Sequence, residues 1–340
     1  LILLINKIYI KISFSKDYKI RMKILAVQNR MGIGDMVIFL PFIEAISKKF
    51  KSPVSLLVKE SSKANEYLQN TKYIDQIIPL LRNNKNLEHD GIIGFFKLAN
   101  KLRKYKFDSI FIFNSSARFN LIAKIAGIQN VYQYPVFKKK NQHIIKTAQK
   151  FIKKELNILV KPNPKINIEK KQIFLVRKKF KIKPKEKNIL LGIGGSGPTK
   201  RVPAKKFIEF IELVSKKYKS KFFLATGKNS EEQKILKEIL KSKHKKKCQR
   251  LDNLSIKSIL PLISNCDIAV CNDSSFSHLS AALGVKTIVL MTDTPLMYGS
   301  YSKFMHPIIP DGEKNVTHNT LGKNKISPKK IFNKFKKLIR

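Results

Sequence analysis

The chain has 340 residues, of which 43% are hydrophobic, so a fully disordered polypeptide is excluded and two domains of ordinary size are predicted. Its 69 lysines and arginines exceed its 23 aspartates and glutamates, and the formal net charge at pH 7 is +46. No run of apolar residues reaches the roughly 18 that a transmembrane helix needs.

The positive charge admits two kinds of partner, a nucleic acid or an anionic membrane surface. Only 9 of the basic residues are arginines, although arginine is the residue best suited to bidentate recognition of phosphates and bases. The lysines are spread along the whole chain and are not confined to one stretch. Because each lysine near an anionic leaflet contributes about 1 kcal/mol to binding, we expect peripheral contact with an anionic membrane and no nucleic acid.

Residues 1–21 are expected to be a leader outside the enzyme proper. The segment 1–14 is apolar but is interrupted by Lys7 and Lys11, and it lacks a small-residue cleavage site. Met22 stands directly before the first predicted strand, which makes it a plausible start of the enzyme.

From residue 22 to residue 157, predicted strands alternate with predicted helices. Short apolar runs predict strands at 23–28, 54–58, 74–79 and 109–113. Helical patterns run from the turn at 30–35 to residue 50, with a kink at Pro41, and occur again at 91–105 and 117–126. The alternation favours a parallel sheet with crossover helices.

Residues 158–187 are rich in lysine and proline and form the predicted linker, with one short ordered element at 172–176. The alternation then restarts. Strands are predicted at 188–193, 221–226, 267–271 and 286–291, and helices at 203–218, 230–240, 255–264 and 274–283. A second domain of similar architecture is therefore predicted at 188–326, followed by a basic amphipathic helix at 327–340.

Three turns that follow predicted strands carry groups suited to ligand binding. The first contains Gly32, Gly34 and Asp35. Its glycines let backbone amides approach a ligand, and Asp35 is either a helix cap or a base toward a substrate hydroxyl. The turn lacks the third glycine of a dinucleotide-binding fingerprint.

The second turn, residues 194–201, combines backbone amides, two hydroxyl groups and the cations of Lys200 and Arg201. These groups suit a diphosphate, although an ordinary glycine-rich turn has the same composition. The third stretch, residues 272–278, lies at a strand end and a helix start. His278, roughly one turn into the predicted helix, is either a ligand contact or a packed structural residue. Because ligands of open α/β sheets bind at the carboxyl ends of strands, the three turns together predict one site.

The three turns lie in stretches that resemble glycosyltransferase family 9, the heptosyltransferases of lipopolysaccharide core assembly. The stretches are, in order, KILAVQNRMGIGDMVIFLPFIEAI, GGSGPTKRVPAKKF and CNDSSFSHLSAALGVKTIVLM, and the resemblance extends over most of residues 22–340. The third stretch is the most specific, because the family carries a similar D-[ST]-G-x-x-H-x-x-A-A-x-G pattern. Ser275 stands where the family usually has glycine.

The resemblance implies an α/β protein of the GT-B fold, in which two Rossmann-like domains face each other across a cleft. Residues 22–157 would bind the acceptor and residues 188–326 the nucleotide sugar. The transfer would be inverting and independent of a metal, with Asp35 as the catalytic aspartate and Lys200 as the lysine that contacts the diphosphate. No Asp-x-Asp pair is present to hold a metal-bound diphosphate, so neither a metal nor another cofactor is expected.

The nucleotide-sugar contacts expected from this match and from the same turns lie in the second half of the chain. They are Gly195, Ser196, Thr199, Lys200, Glu231, Asp273, Ser274, Ser275 and His278. Gly32 and Gly34 belong to the expected acceptor-side loop.

We therefore expect a glycosyltransferase that moves a heptose or a similar sugar from a nucleotide diphosphate, ADP-linked by resemblance, to a lipopolysaccharide-core or related glycolipid. Its expected location is the cytoplasm, at the inner face of the inner membrane. Three alternatives stay open: a GT-B enzyme that uses another nucleotide sugar, a nucleotide-sugar epimerase, and a basic nucleic-acid-binding protein. A scaffold with an inactive site is disfavoured because Asp35 and Lys200 are both present. Activity without a glycolipid acceptor would indicate the epimerase, and steeply salt-dependent duplex binding would indicate the nucleic-acid-binding protein.

Overall fold

A computed structural model describes residues 21–82, 88–135 and 143–339 of the chain. The predicted leader, residues 1–21, lies outside the described residues except for Arg21. None of the described helices is long and apolar enough to span a bilayer.

The first half of the described chain forms a five-stranded parallel sheet with helices on both faces. Its strands are β1 (Ile24–Gln28), β2 (Val54–Lys59), β3 (Ile74–Leu80), β4 (Ser109–Ile112) and β5 (Asn130–Gln133). They pair in the order β3-β2-β1-β4-β5. The helices of this half are α1 (Ile33–Phe50), α2 (Ala64–Tyr67), α3 (Gly91–Tyr105), α4 (Ala117–Ile125) and α5 (Ile144–Leu156).

Strand β1 shows why these apolar runs become central strands. All five of its residues are buried. Because side chains alternate along a strand, Ile24 and Ala26 join the apolar cluster on one face of the sheet, while Leu25 and Val27 join the cluster on the other. A parallel sheet covered on both faces requires such an uninterrupted apolar sequence.

The second half forms a six-stranded parallel sheet. Its strands are β6 (Lys187–Gly192), β7 (Ser220–Ala225), β8 (Cys248–Arg250), β9 (Ile268–Asn272), β10 (Thr287–Leu290) and β11 (Met305–Ile308). They pair in the order β11-β10-β9-β6-β7-β8. The helices from residue 170 onward are α6 (Lys170–Lys179), α7 (Ala204–Lys217), α8 (Ser230–Lys241), α9 (Ile256–Ile263), α10 (Ser275–Ala282) and α11 (Pro328–Leu338).

The stretch between the two sheets contains helix α6, which extends beyond the short ordered element expected at 172–176. This helix packs against α9. The division of the chain into domains at 158–187 stays a prediction. Helix α11 occupies the basic tail, is capped by the Ser327 hydroxyl, which accepts a hydrogen bond from the Lys330 amide, and packs against α7.

Helices α1 and α10 connect the two halves. They pack against each other, and one apolar cluster contains both Phe39 of α1 and Leu279 of α10. Helix α1 continues through Pro41 to Phe50 without interruption. Because each of the two helices starts directly after a strand, their packing brings two of the predicted turns close together.

Candidate functional site

A cavity of about 740 Å³ lies between the two sheets, at the carboxyl ends of their strands. The loops that follow β1, β2, β6, β7 and β9 all contribute to its wall. Ten of the residues expected from the sequence line it: Gly32, Gly34, Asp35, Gly195, Ser196, Lys200, Asp273, Ser274, Ser275 and His278. Thr199 and Glu231 are not part of this wall.

Asp35 lies in the first turn of α1 and faces the cavity. The cap position of this helix is Gly32, with φ of +140°, and no side chain makes a capping hydrogen bond there. The interpretation of Asp35 as a helix cap is therefore wrong. Its carboxylate instead accepts a hydrogen bond from Arg30 Nε at 2.9 Å, and the amino-terminal end of the helix dipole also favours its negative charge.

Lys200 and Asp273 form an ion pair across two loops of the second sheet. Lys200 Nζ donates to Asp273 Oδ2 at 2.9 Å, and the Asp273 side chain is only 5% exposed. Burial by itself would raise the pKa of Asp273, but the charges of Lys200 and His278 and the hydrogen bonds to the carboxylate lower it below its usual value. The carboxylate is therefore charged at neutral pH and holds the ammonium group at the cavity wall.

His278 is both buried and part of the cavity wall, so the two interpretations left open by the sequence are compatible. Its Nε2 lies 3.8 Å from Asp273 Oδ1, and its Nδ1 is 2.8 Å from the hydroxyl of Tyr301. Burial lowers the pKa of His278, against the opposing effect of the carboxylates of Asp273 and Asp35. The imidazole is therefore neutral at neutral pH.

Asn272 holds the glycine-rich turn in place. Its buried Nδ2 donates to the carbonyl oxygens of Ile193 and Gly194 at 2.9 and 3.2 Å. Its Oδ1 accepts a hydrogen bond from the Val202 amide at 3.4 Å. The turn after β6 is thus anchored at both ends to the last residue of β9. Arg201 bends back to the Gly197 carbonyl and does not line the cavity.

Glu232 lines the cavity, whereas its neighbour Glu231, the expected contact, does not. The carboxylate of Glu231 is 59% exposed and pairs with Lys234. Glu232 is buried and accepts hydrogen bonds from the Gly195 amide at 3.2 Å and the Thr226 hydroxyl at 2.8 Å. A third hydrogen bond comes from the Gly227 amide, so this one carboxylate connects the loops after β6 and β7.

Besides Glu232, four further charged residues of the cavity wall were not selected from the sequence. Arg30 and Lys63 contribute cations from the first half of the chain, and Lys228 and Asp252 contribute a cation and a carboxylate from the second. No sequence pattern marked Lys63, Lys228 or Asp252, which lie outside the three turns. Within the described part of the chain, no group of three or more His, Cys, Asp or Glu residues is arranged to hold a metal ion.

The family model for glycosyltransferase family 9 (heptosyltransferase) matches residues 95–308. The chain belongs to glycosyltransferase family 9. It is therefore a glycosyltransferase, and the family resemblance inferred from the three motifs is confirmed.

Individual family members agree with this assignment over nearly the whole chain. A lipopolysaccharide heptosyltransferase 1 from Campylobacter coli is 23% identical over 332 residues, which cover 88% of this chain and 93% of that protein. The structure of the ADP-heptose lps heptosyltransferase II of E. coli is similar with a TM-score of 0.71 at 17% identity and covers 94% of this chain and 98% of that one. The structure of a family 9 glycosyl transferase from Veillonella parvula DSM 2008 is similar with a TM-score of 0.75 at 16% identity. The match covers 94% of this chain and 97% of that one. These similarities confirm the GT-B fold.

Proposed function

We propose that this family 9 glycosyltransferase moves a heptose from an ADP-linked donor to a lipopolysaccharide-core or related glycolipid, with inversion at the anomeric carbon and without a metal ion. The observation that carries the proposal is that Asp35 and Lys200, which belong to loops of different sheets, line one cavity. The similarity to a lipopolysaccharide heptosyltransferase 1 and to an ADP-heptose lps heptosyltransferase II supports the sugar, the nucleotide and the type of acceptor.

On the donor side, the diphosphate would lie against Lys200 and the turn that follows β6. Lys200 is held at the cavity wall by Asp273, and Ser274 and Ser275 begin helix α10, whose amino terminus favours an anion. As the bond between the anomeric carbon and the phosphate oxygen breaks, its electron pair passes to the departing ADP. A fixed cation stabilises that developing charge more than it stabilises the bound donor, which is the condition for faster turnover.

On the acceptor side, Asp35 would act as the general base. An acceptor hydroxyl attacks the anomeric carbon, a carbon–oxygen bond forms, and the Asp35 carboxylate takes the proton. The Arg30 guanidinium, hydrogen-bonded to Asp35 Oδ1, restricts the orientation of the carboxylate. A base on the first sheet and a leaving-group site on the second are consistent with displacement from opposite sides, and hence with inversion.

The acceptor is expected to be lipid-anchored, so we also propose that the enzyme works in the cytoplasm at the inner face of the inner membrane. The net charge of +46 supports contact with an anionic leaflet. No nucleic-acid partner is proposed.

The test is a transfer assay with ADP-heptose and lipopolysaccharide core purified from a heptose-deficient bacterium. We expect the acceptor to gain the mass of one heptose, the new linkage to have the opposite anomeric configuration to the donor, and the rate to be unaffected by EDTA. UDP-linked and GDP-linked sugars serve as matched controls for the adenine of the donor. A reaction without acceptor tests for an epimerase. Conversion of the donor in the absence of acceptor, or transfer only from a non-adenine donor, would overturn the proposal.

A further inference from the structure

The first turns of helix α3 expose an unusual group of large apolar side chains. Ile92 is 78% exposed, Ile93 is 74% exposed and Phe96 is 50% exposed. They lie at neighbouring positions at the start of one helix, whose opposite face buries Leu98 and Leu102. Isolated exposed apolar residues are common on proteins, but a contiguous group marks a surface that another molecule covers.

This surface lies at the acceptor-side edge of the first sheet. Helix α3 begins after β3 and α4 begins after β4, so in a parallel sheet both helices start at the edge where the loop of Asp35 follows β1. Arg118, at the start of α4, donates to the carbonyl oxygens of His89 and Gly91 at 2.9 Å each. The exposed residues and the proposed base thus belong to the same edge.

The start of α3 is held rigidly, so the exposure does not reflect a poorly packed helix end. A Cβ atom on Gly94 would collide with the backbone of His89, which shows how tightly the helix is packed there. The guanidinium of Arg118 lies over the ring of Phe95, 5.3 Å from its centre. Arg82 Nε and Asp90 Oδ1 pair at 3.0 Å beside the helix start. The exposed apolar residues therefore lie on a well-packed helix start.

The charged residues near this surface indicate which kind of molecule it binds. Lys97 is exposed on the same helix, next to Phe96. Of the acidic residues preceding the helix, Asp90 is paired with Arg82. Glu88 lies 3.6 Å from His89, but burial lowers the pKa of that imidazole, so Glu88 keeps its negative charge. Exposed apolar side chains with the Lys97 cation beside them match the boundary between acyl chains and headgroups of an anionic bilayer.

We propose that Ile92, Ile93 and Phe96 insert into the surface of an anionic lipid bilayer and bring the acceptor side of the cavity to the membrane. The proposal rests on the proposed function only for the statement that the acceptor is lipid-anchored. A second exposed apolar pair, Phe174 and Leu175 on α6, differs because the Lys178 ammonium covers the Phe174 ring at 4.6 Å, and α6 lies after the last strand of the first sheet.

The chain contains no tryptophan, so a single introduced tryptophan reports on its own surroundings. We would compare Ile93→Trp with the matched control Phe174→Trp, adding vesicles of equal parts phosphatidylglycerol and phosphatidylcholine, or of phosphatidylcholine alone. The expected result is a blue shift of the emission of Ile93→Trp with anionic vesicles, and quenching when their acyl chains are brominated. The emission of Phe174→Trp is expected to stay unchanged.

A second variant measures the binding strength. Replacing Ile92, Ile93 and Phe96 together by serine should weaken binding to the anionic vesicles at least about tenfold, because apolar insertion is lost. Transfer to an acceptor in vesicles should fall, whereas transfer to a delipidated acceptor should remain. An unshifted Ile93→Trp emission, or vesicle binding of the triple variant equal to that of the wild type, would overturn the proposal. The fluorescence test needs neither donor nor acceptor, so its outcome is independent of whether heptosyl transfer occurs.

Discussion

Gly34 lies directly against the imidazole of His278: a Cβ atom on Gly34 would come within 2.5 Å of His278 Cδ2. The contact joins the first turn of α1 to helix α10, so it connects the loop of the proposed base to the loop of the proposed donor site. The absence of a side chain at residue 34 therefore sets how closely the two loops approach.

Replacing Gly34 with alanine should lower the free energy of unfolding by about 1–3 kcal/mol, because the added methyl group must displace the buried His278 ring. In a His278→Ala background the same change should be neutral or slightly stabilising, since alanine favours a helix over glycine. Urea unfolding of the four proteins of this double-mutant cycle measures the difference. Equal losses in both backgrounds would show that the collision with His278 is not the cause.

Replacing Glu232 with glutamine should destabilise the protein by about 1–3 kcal/mol, because an amide cannot satisfy all three buried donors. Weaker binding of ADP should accompany the loss, since Gly195 is one of those donors. The adjacent Glu231→Gln is the matched control and should stay within about 0.5 kcal/mol of the wild type, because its carboxylate is exposed. Thermal unfolding measures the stability of the two variants, and calorimetric titration measures their affinity for ADP. Similar behaviour of the two variants would refute the role of Glu232 in connecting the two loops.

Replacing Lys200 with methionine should cost about 3 kcal/mol of stability, because the buried Asp273 carboxylate then has no ammonium partner. Adding Asp273→Asn should restore most of that stability, since the amide carries no charge. Turnover should be low in both variants if Lys200 stabilises the leaving diphosphate. Recovery of turnover together with stability in the double variant would instead mean that Lys200 acts only by neutralising Asp273.

The pKa of His278 makes stability depend on pH. Burial lowers the pKa of His278 in the folded protein, whereas in the unfolded chain its pKa is about 6.5. As the pH falls below about 6.5, the unfolded chain therefore binds a proton on His278 before the folded protein does. The wild type should therefore lose stability as pH falls below about 6.5, by at most about 1.4 kcal/mol per pH unit from this group. His278→Asn removes that contribution while the other histidines remain, so the stability difference between wild type and variant should shrink from pH 8 to pH 5. A difference independent of pH would contradict the buried, neutral imidazole.

The sequence located the central strands to within one or two residues, because their apolar runs are continuous. Among the strands of the described residues, β5, β8 and β11 were missed. All three lie at sheet edges, and β5 and β8 have no fully buried residue. An edge strand that is covered on fewer sides needs fewer apolar residues, so its sequence carries a weaker signal than that of a central strand.

The three turns singled out in the sequence line one cavity, although not every side chain expected there does. Strand-to-helix turns could be recognised because glycine and polar residues directly follow apolar runs. The sequence analysis selected Glu231, whereas Glu232 lines the cavity. Successive helix residues point about 100° apart, and only the fold shows which one faces the neighbouring loop. The approach of Asp35 to the second sheet depends on the packing of α1 against α10, which no local pattern encodes.

The Asp35→Asn variant tests the proposed chemistry most directly. Its stability should change by less than about 1 kcal/mol, because Asp35 makes no capping hydrogen bond and its ion pair with Arg30 is partly exposed. On the same helix, Glu44→Gln is the matched control, since it removes a similarly exposed carboxylate that pairs with Lys48 away from the cavity. That control should leave turnover unchanged.

The measurement is the single-turnover rate of heptosyl transfer from ADP-heptose, together with the affinity for ADP-heptose. For Asp35→Asn we expect a rate at least about 100-fold lower with unchanged donor affinity, because the base is lost and the donor loops are intact. A rate within a few-fold of the wild type would contradict the role of Asp35 as the base and would require a different base.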